Sequence, residues 1–272
     1  MQFVDRADAG RRLARRLQHL RGTDVVVLGL PRGGVAVAFE VAAELRAPLD
    51  VIVVRKLGVP RQPEYGFGAV GEGGARIIDD YVVCQAGLTP PEMAEVEARE
   101  RARLDGRVSR LRGDRPTVGL AGRTVIVVDD GIATGSTARA ACLVARARGA
   151  SRVILAVPVS SAEGAASLRR AADEVICLQT PAPFFAIGEW YSDFSQVTDE
   201  EVTILLARAA RLSAGSGDAE TDPAEIGVDT AGVRLPGSLV IPDRGAAPQS
   251  IRDGRAEPGP PRHAAGRPAH RG

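Results

Sequence analysis

The chain has 272 residues with 35 basic and 34 acidic side chains, a formal net charge of only +1, which argues against nucleic acid as a partner because such affinity comes from neutralising phosphates. No apolar run approaches the roughly 20 residues that cross a bilayer, and the first residues carry no apolar leader, so we expect a cytoplasmic protein that does not enter membranes. Three scattered cysteines predict neither a disulfide framework nor a zinc site.

In the first third of the chain, stretches with apolar residues at helical spacing alternate with short runs of β-branched residues. Continuous runs of valine, isoleucine and leucine are typical of strands that are buried on both faces. A stretch rich in glycine and proline follows them and predicts a long loop, a segment that is usually functional or disordered. In order, we predict a helix over 6–20, a strand over 24–30, a helix over 34–45, a strand over 50–54 and the loop over 55–74.

The alternation continues to residue 212. The predicted elements are a strand over 77–83, a helix over 90–112 capped by Thr89, a strand over 123–128, a helix over 136–148, a strand over 152–157, a helix over 163–172, a strand over 174–178, and a helix over 198–212 with a Thr198–Glu201 capping box. Alternating strands and helices with continuously apolar strands predict an α/β protein. We expect a doubly wound, mostly parallel sheet with helices on both faces.

The composition changes after residue 212. The last 58 residues hold no aromatic residue but eight of the 18 prolines and ten of the 31 glycines. Such a segment buries too little apolar area to offset its ordering entropy, so we predict one folded domain over 1–212 and a disordered tail over 213–272. Residues 224–243 resemble the opening hairpin of an α/β-hydrolase domain, but no GxSxG motif follows. A vestigial domain start and a plain tail both remain open.

The most specific signal is VIVVDDGIATGST over residues 125–137. A buried strand leads into the acidic pair, Asp129 and Asp130, and then into a turn of small and hydroxyl residues that opens a helix. Free N–H groups at a helix start, together with a glycine turn, suit a phosphate. The carboxylates suit sugar hydroxyls or Mg²⁺ instead. A ribose that carries a 5′-phosphate satisfies both halves.

These thirteen residues resemble the 5-phosphoribosyl-1-pyrophosphate (PRPP) signature of type I phosphoribosyltransferases. The resemblance implies that family's fold over residues 1–212. It also implies a catalytic role for Asp129 and Asp130, which would hold the ribose hydroxyls and bind Mg²⁺ directly or indirectly. The residues implied to bind the 5′-phosphate are Ala133, Thr134, Gly135, Ser136 and Thr137.

A second glycine-rich turn, GLPRGG over residues 29–34, joins the first predicted strand to its helix. In the family the corresponding loop ends in a basic residue followed by glycine and binds pyrophosphate, which implies this role for Arg32, Gly33 and Gly34. The family often has a cis non-proline peptide here, which would fall between Pro31 and Arg32. Proline at that position departs from the family pattern and leaves the cis geometry open.

Arg55 and Lys56 follow the second predicted strand, at the same sheet edge, and Lys56 is the single lysine of the chain. A similar Arg–Lys pair contacts pyrophosphate in several purine phosphoribosyltransferases, so the resemblance implies pyrophosphate binding by both residues and a catalytic role for Lys56. The alternative is a basic side chain that extends from a strand end into water. We expect Asp129, Arg32 and Lys56 to converge on one cleft.

Residues 57–74 take the place of the family's mobile loop, which closes over PRPP and excludes water. Glu64, Tyr65 and Glu72 are its candidate polar residues. The segment after the last strand sets the acceptor in this family, and aromatic faces can stack on a planar base; the alternative is that they fill the core. The candidates are Phe184, Phe185, Trp190 and Tyr191.

The leading hypothesis is a Mg²⁺-dependent phosphoribosyltransferase of nucleotide metabolism. It would transfer the phosphoribosyl group of PRPP to a nitrogenous base or a similar small-molecule acceptor and release pyrophosphate. The alternative is a non-catalytic sensor that binds PRPP or a nucleotide with the same loop. A hydrolase of phosphoribosyl compounds would need a general base that the sequence does not offer. A homodimer is left open.

Overall fold

The computed structural model of the protein describes residues 2–214. The helices are α1 (Arg6–Arg16), α2 (Gly33–Leu45), α3 (Asp80–Ala86), α4 (Pro90–Arg112), α5 (Ser136–Ala147), α6 (Ala162–Leu168) and α7 (Asp199–Ala214). The strands are β1 (Val25–Gly29), β2 (Leu49–Val51), β3 (Val54–Val59), β4 (Gln62–Gly71), β5 (Arg76–Ile78), β6 (Thr124–Val128), β7 (Arg152–Val159) and β8 (Glu174–Gln179). Short 3₁₀ turns lie at Gln18–Leu20 and Ile187–Trp190.

The central sheet has five parallel strands in the order β2-β1-β6-β7-β8. Val25 and Val27 of β1 pack on one face with α1, α2 and α7, whereas Val26 and Leu28 pack on the other face with α5 and α6. This confirms the predicted doubly wound sheet with helices on both faces. Because the strands are parallel, the loops that follow β1, β2, β6 and β7 lie along one edge of the sheet.

The prediction of a long loop over residues 55–74 is wrong. Strands β3 and β4 pair as an antiparallel hairpin, and β4 also pairs with β5. Three of the glycines that suggested a loop, Gly66, Gly68 and Gly71, lie inside β4, where they allow close approach. A Cβ at Gly66 would lie 2.9 Å from Cδ of Lys56, and a Cβ at Gly68 would overlap the Ile77 carbonyl.

A buried ionic network holds the base of the hairpin. Arg112, at the end of α4, donates from Nε to Asp50 at 2.9 Å and from Nη1 to Glu72 at 2.5 Å. All three side chains are at most 8% exposed. Glu72 also accepts from the Val53 amide at 3.2 Å. Glu72, a candidate polar residue of the predicted mobile loop, is therefore a structural carboxylate of the core.

The predicted strand over residues 77–83 is correct only in its first part. Strand β5 ends at Ile78, and Asp79 then caps α3 by accepting from the Val82 amide at 3.3 Å. An Asp at an N-cap competes effectively with strand continuation because it satisfies a free N–H of the first turn. The predicted N-cap at Thr89 is present and forms a capping box with Glu92. The predicted capping box at Thr198 is present as well, and the Thr198 amide donates to Glu201 at 2.6 Å.

The last helix, α7, reaches Ala214, two residues beyond the predicted boundary. The tail predicted from residue 213, and the strand-like stretch over 224–243 within it, otherwise lie outside the described residues. The division of the chain at residue 212 therefore stays a prediction.

Candidate functional site

The acidic pair, Asp129 and Asp130, follows β6 directly, in the middle of the central sheet. The Asp130 amide donates to Oδ1 of Asp129 at 2.9 Å. Burial, and then the charge of Asp130, hold the pKa of Asp129 well above its usual range. Burial also raises the pKa of Asp130, although Arg6 opposes this shift. Both carboxyl groups would therefore gain from a ligand that donates hydrogen bonds or carries positive charge.

Arg6 is the partner of Asp130 that the sequence did not reveal. Its Nε donates to Oδ2 of Asp130 at 2.8 Å, and the two side chains are only 12% and 13% exposed. The guanidinium lies 3.9 Å from the centre of the Phe194 ring and donates to the Ser195 carbonyl at 2.7 Å. No local pattern marks this contact, because α1 meets the end of β6 across 124 residues of chain.

The glycine loop, residues 29–34, packs directly against the acidic pair. A Cβ at Gly33 would overlap the Asp130 carboxylate, and a Cβ at Gly34 would lie 2.7 Å from the Val128 carbonyl oxygen. Only glycine fits at these two positions with the present backbone. The peptide between Pro31 and Arg32 is cis, and Arg32 is exposed. The structure thus brings the glycine loop and the acidic pair together.

The phosphate loop, residues 131–137, leads from the acidic pair into α5. Gly135 takes a left-handed conformation with φ of +79° at the N-cap, and no side chain caps the helix there. The first N–H groups of α5 are therefore open to a ligand. The hydroxyls of Thr134 and Ser136 lie 3.4 Å apart, and Ser161 holds the loop by donating to the Ala133 carbonyl at 2.7 Å.

Most of the phosphate loop is exposed to solvent. Ala133, Thr134, Ser136 and Thr137 are exposed or half-buried, as is Gly135. This exposure leaves both hydroxyls and amides accessible, as an anion site requires.

Arg55 and Lys56 of β3 line different clefts, as neighbouring residues of a strand do. Lys56 lines a cleft of about 650 Å³, the hairpin cleft, together with Thr134, Ser136 and Thr137 of the phosphate loop. Its Nζ donates to the Glu64 carbonyl at 2.5 Å and lies 3.4 Å from the Glu64 carboxylate.

Arg55 instead donates to the Glu100 carboxylate at 2.9 Å and lines a second cleft of about 570 Å³. Lys56 therefore lies inside β3 of the antiparallel sheet rather than at the end of a central-sheet strand, and it shares its cleft with the phosphate loop. Asp129 and Arg32 are not among the residues that line that cleft. The expected convergence of Asp129, Arg32 and Lys56 on one cleft is therefore not found in the lining of this cleft, which Lys56 shares with the phosphate loop instead.

The four candidate acceptor aromatics divide into two kinds. Tyr191 is 4% exposed and packs between Phe3 and Phe194, with ring centres at 5.4 and 5.0 Å. Its hydroxyl donates to the Asp130 carbonyl at 2.5 Å, and burial raises its pKa, so the phenol stays a donor. Phe185, by contrast, is 78% exposed.

Phe184 and Trp190 lie between these extremes. Both are half-buried and pack against the cluster that contains Tyr191. The Trp190 indole Nε1 is buried and has no hydrogen-bond partner among the described residues. A buried indole N–H usually finds a partner, so Trp190 Nε1 is, within residues 2–214, an unsatisfied buried donor of this segment.

Two kinds of feature are absent from residues 2–214. In that range no three His, Cys, Asp or Glu side chains cluster as a ready metal site. No helix within it combines the length and apolar character needed to cross a membrane.

Sequence comparison matches the chain to a known protein family and to named relatives. The family model for the phosphoribosyl transferase domain matches residues 4–193. Proteins from two strains of Mycobacterium tuberculosis, both named "Putative phosphoribosyl transferase", are 52% identical over 248 residues. The alignment covers 89% of this chain and 56% of each relative. The chain thus spans little more than half the length of these curated relatives.

A solved structure extends the likeness to three dimensions. The protein TT1426 from Thermus thermophilus is 45% identical, with a TM-score of 0.71 over 76% of this chain and 99% of that chain. The range matched by the family model contains Arg6, the glycine loop, the acidic pair, the phosphate loop and Tyr191. The chain therefore belongs to the phosphoribosyl transferase domain family.

Proposed function

We propose that the protein is an enzyme that transfers the 5-phosphoribosyl group of PRPP to a nitrogenous base or a similar small acceptor and releases pyrophosphate. Two neighbouring features support this proposal most. Gly33 and Gly34 pack against the acidic pair, and the chain runs from the acidic pair directly into the uncapped start of α5. These neighbouring features suit the pyrophosphate, the ribose and the 5′-phosphate of one molecule. Membership of the family supports the assignment.

The 5′-phosphate binds at the phosphate loop. The open N–H groups at the start of α5 and the partial positive charge of the helix attract it. The hydroxyls of Thr134, Ser136 and Thr137 add donors, while Ala133 and Gly135 let the backbone approach closely. These side chains are exposed or half-buried, so a phosphate reaches them without rearrangement of the core.

The acidic pair receives the ribose and Mg²⁺. Magnesium keeps several waters and takes one or two carboxylates together with phosphate oxygens. The pair fits this pattern because it offers two adjacent carboxyl groups that have a single ion-pair partner among residues 2–214. Within residues 2–214 Asp129 has no ion-pair partner, whereas Asp130 is held by Arg6. Asp129 is therefore the better ligand. Bound Mg²⁺ would neutralise charge on the departing pyrophosphate.

The transfer is a displacement at C1 of the ribose. A nitrogen lone pair of the acceptor forms the new bond to C1, and the bond from C1 to the pyrophosphate oxygen breaks with its electron pair. Positive charge grows on the ribose ring, where Asp129 and Asp130 offset it. Negative charge grows on pyrophosphate, where the amides of Gly33 and Gly34 and the side chain of Arg32 stabilise it. Arg55 and Lys56, which were predicted to bind the same group, line two different clefts, so this structure does not bring both to one pyrophosphate.

The acceptor lies beside the aromatic segment. Phe185 offers an exposed ring for stacking, and Phe184 and Trp190 offer partly exposed ones. Tyr191 acts differently, because its ring is buried and its hydroxyl holds the Asp130 carbonyl. It positions the acidic pair and contributes to the acceptor site indirectly.

The three free cysteines, Cys84, Cys142 and Cys177, suit a cytoplasmic location, where thiols stay reduced.

The test is to incubate the full chain with PRPP, Mg²⁺ and a panel of purine and pyrimidine bases while pyrophosphate release is followed. We expect release with at least one base and its loss in Asp130→Asn. Asp114→Asn, an exposed carboxylate in the loop after α4, is the matched control and should keep full activity. Tight PRPP binding without release on any base would support the alternative, a PRPP sensor.

A further inference from the structure

The second cleft is lined by four arginines and is named here the arginine cleft. It lies between β3, the glycine loop and α4, with a volume of about 570 Å³. Arg55 comes from β3, and the three others come from α4, where their spacing of i, i+4 and i+7 puts them on one face of the helix. Those three are Arg103, Arg107 and Arg110.

Positive charge exceeds negative charge in the arginine cleft. Glu100 is paired with Arg55 at 2.9 Å and Arg103 at 2.7 Å, and also lies 3.5 Å from Arg99 outside the lining. Arg107 is paired with Asp199 at 2.5 Å. No carboxylate of residues 2–214 forms an ion pair with Arg110, which is exposed. Two carboxylates thus face four guanidinium groups.

Glu100 fixes the orientation of two arginines of the arginine cleft. Its side chain is 8% exposed; burial alone would raise its pKa, but Arg55 and Arg103 hold the pKa below its usual range. The carboxylate therefore stays ionised and fixes both guanidinium groups at the cleft wall. Pre-oriented arginines lose less entropy when they bind an anion than free ones do.

The length of the row of α4 arginines indicates the size of the anion that fits the cleft. From Arg103 to Arg110 the helix rises about 10 Å, at 1.5 Å per residue, which is longer than a single phosphate and suits a chain of two or three phosphates. Arginine forks bind phosphate oxygens in a bidentate manner. Pro31 and Thr137 also line the cleft, so the bound anion lies next to both the glycine loop and the phosphate loop.

We propose that the arginine cleft is a binding site for a di- or triphosphate group, formed by Arg55 and by the α4 residues Arg103, Arg107 and Arg110. The ligand of this cleft is a polyphosphate molecule separate from PRPP, such as a nucleoside triphosphate, because three of the four arginines lie on α4, outside the loops that suit PRPP. The site rests on the geometry of the cleft and requires no transfer reaction.

The test is calorimetric titration of the full chain with inorganic tripolyphosphate, without Mg²⁺. We expect the double variant Arg103→Gln and Arg110→Gln to bind at least about tenfold more weakly than the wild type. Both side chains are exposed, so the variant should keep its melting temperature within a few degrees. Arg101→Gln on the same helix, whose partner is Glu97 rather than a residue of the cleft, is the matched control and should bind as the wild type does.

Equal affinity of the wild type and the double variant would overturn the proposal, as would equal weakening in Arg101→Gln or no binding to the wild type. A second titration in saturating PRPP tests whether the two ligands compete. Undisturbed binding of tripolyphosphate supports a separate polyphosphate site, whereas its displacement would show that the cleft is the pyrophosphate subsite of PRPP and would overturn the proposal. Because no turnover is measured, failure of the transferase assay leaves this result intact.

Discussion

The glycine loop and the hairpin are both rich in glycine, yet they use it in opposite ways. In the glycine loop, Gly33 and Gly34 let the backbone lie against two carboxyl groups at the end of β6. In the hairpin, Gly66 and Gly68 lie inside β4, where its pairing register with β3 shifts, and they make room for a neighbouring strand and for the stem of Lys56. Glycine in both places allows a close approach. The neighbouring group is a carboxyl pair in the glycine loop and an adjacent strand in the hairpin, and this difference decides whether the segment is a turn or a strand.

The two regions also differ in how charge is compensated. At the hairpin base, two buried carboxylates share one buried arginine, Arg112. At the acidic pair, two adjacent carboxyl groups have one arginine, Arg6, which forms an ion pair with Asp130 and not with Asp129, and both pKa values are raised. The ionic network at the hairpin base therefore stabilises the fold, whereas the incompletely compensated acidic pair is suited to binding a ligand.

The largest effect is expected at the hairpin base. Arg112→Met removes the ion-pair partner that the buried Asp50 and Glu72 share among residues 2–214, and we expect a loss of about 3–5 kcal/mol in the free energy of unfolding, measured by urea denaturation. Arg152→Met is the control, because its pair with Glu174 is 50% and 35% exposed and should contribute at most about 1 kcal/mol. Similar losses in the two variants would contradict the role of the network.

The next effect is expected at the glycine loop. In Gly33→Ala the added methyl group overlaps the Asp130 carboxylate, so the loop must move away from the acidic pair. We expect PRPP affinity to fall about 100-fold, or about 2.7 kcal/mol, in a binding titration. Gly119→Ala, where a Cβ meets nothing within 4 Å, should bind PRPP normally. Normal binding by Gly33→Ala would show that the close packing is dispensable.

A smaller effect is expected from Arg6→Gln. Arg6 opposes the rise in the pKa of Asp130, so its removal raises that pKa further. If ionised Asp130 is the active form, the acidic limb of the pH profile for pyrophosphate release moves to higher pH. The control is Arg12→Gln, whose partner is Asp8 on the same helix. An unshifted limb in Arg6→Gln would contradict the link between Arg6 and the acidic pair.

The smallest effect concerns stability at the acidic pair. Because the pKa of Asp129 is raised in the folded state, stability that is present below the unfolded carboxyl pKa of about 3.9 is lost as pH rises through the folded pKa. Asn cannot ionise but keeps the oxygen that accepts from the Asp130 amide. We expect the melting temperature of Asp129→Asn, relative to the wild type, to rise between acid and neutral pH. A constant difference would contradict the assigned burial cost.

The central sheet was predictable because parallel strands that are buried on both faces leave continuous β-branched runs, as in residues 125–128. The phosphate loop was predictable because its residues are contiguous in the chain. The hairpin was not, since glycine disfavours strands locally and only the approach of Lys56 and Ile77 explains it. Arg6 was not predictable either, because its contact with Asp130 is created by tertiary folding.

The most direct test of the central claim, that the acidic pair and the phosphate loop form a PRPP site, is calorimetric titration with Mg²⁺ and PRPP. Three proteins are compared: the full wild-type chain, the double variant Asp129→Asn and Asp130→Asn, and the control Asp114→Asn. We predict that the wild type and the control bind PRPP equally and that the double variant binds at least about tenfold more weakly. Equal binding by all three proteins, or no binding by the wild type, would contradict the claim.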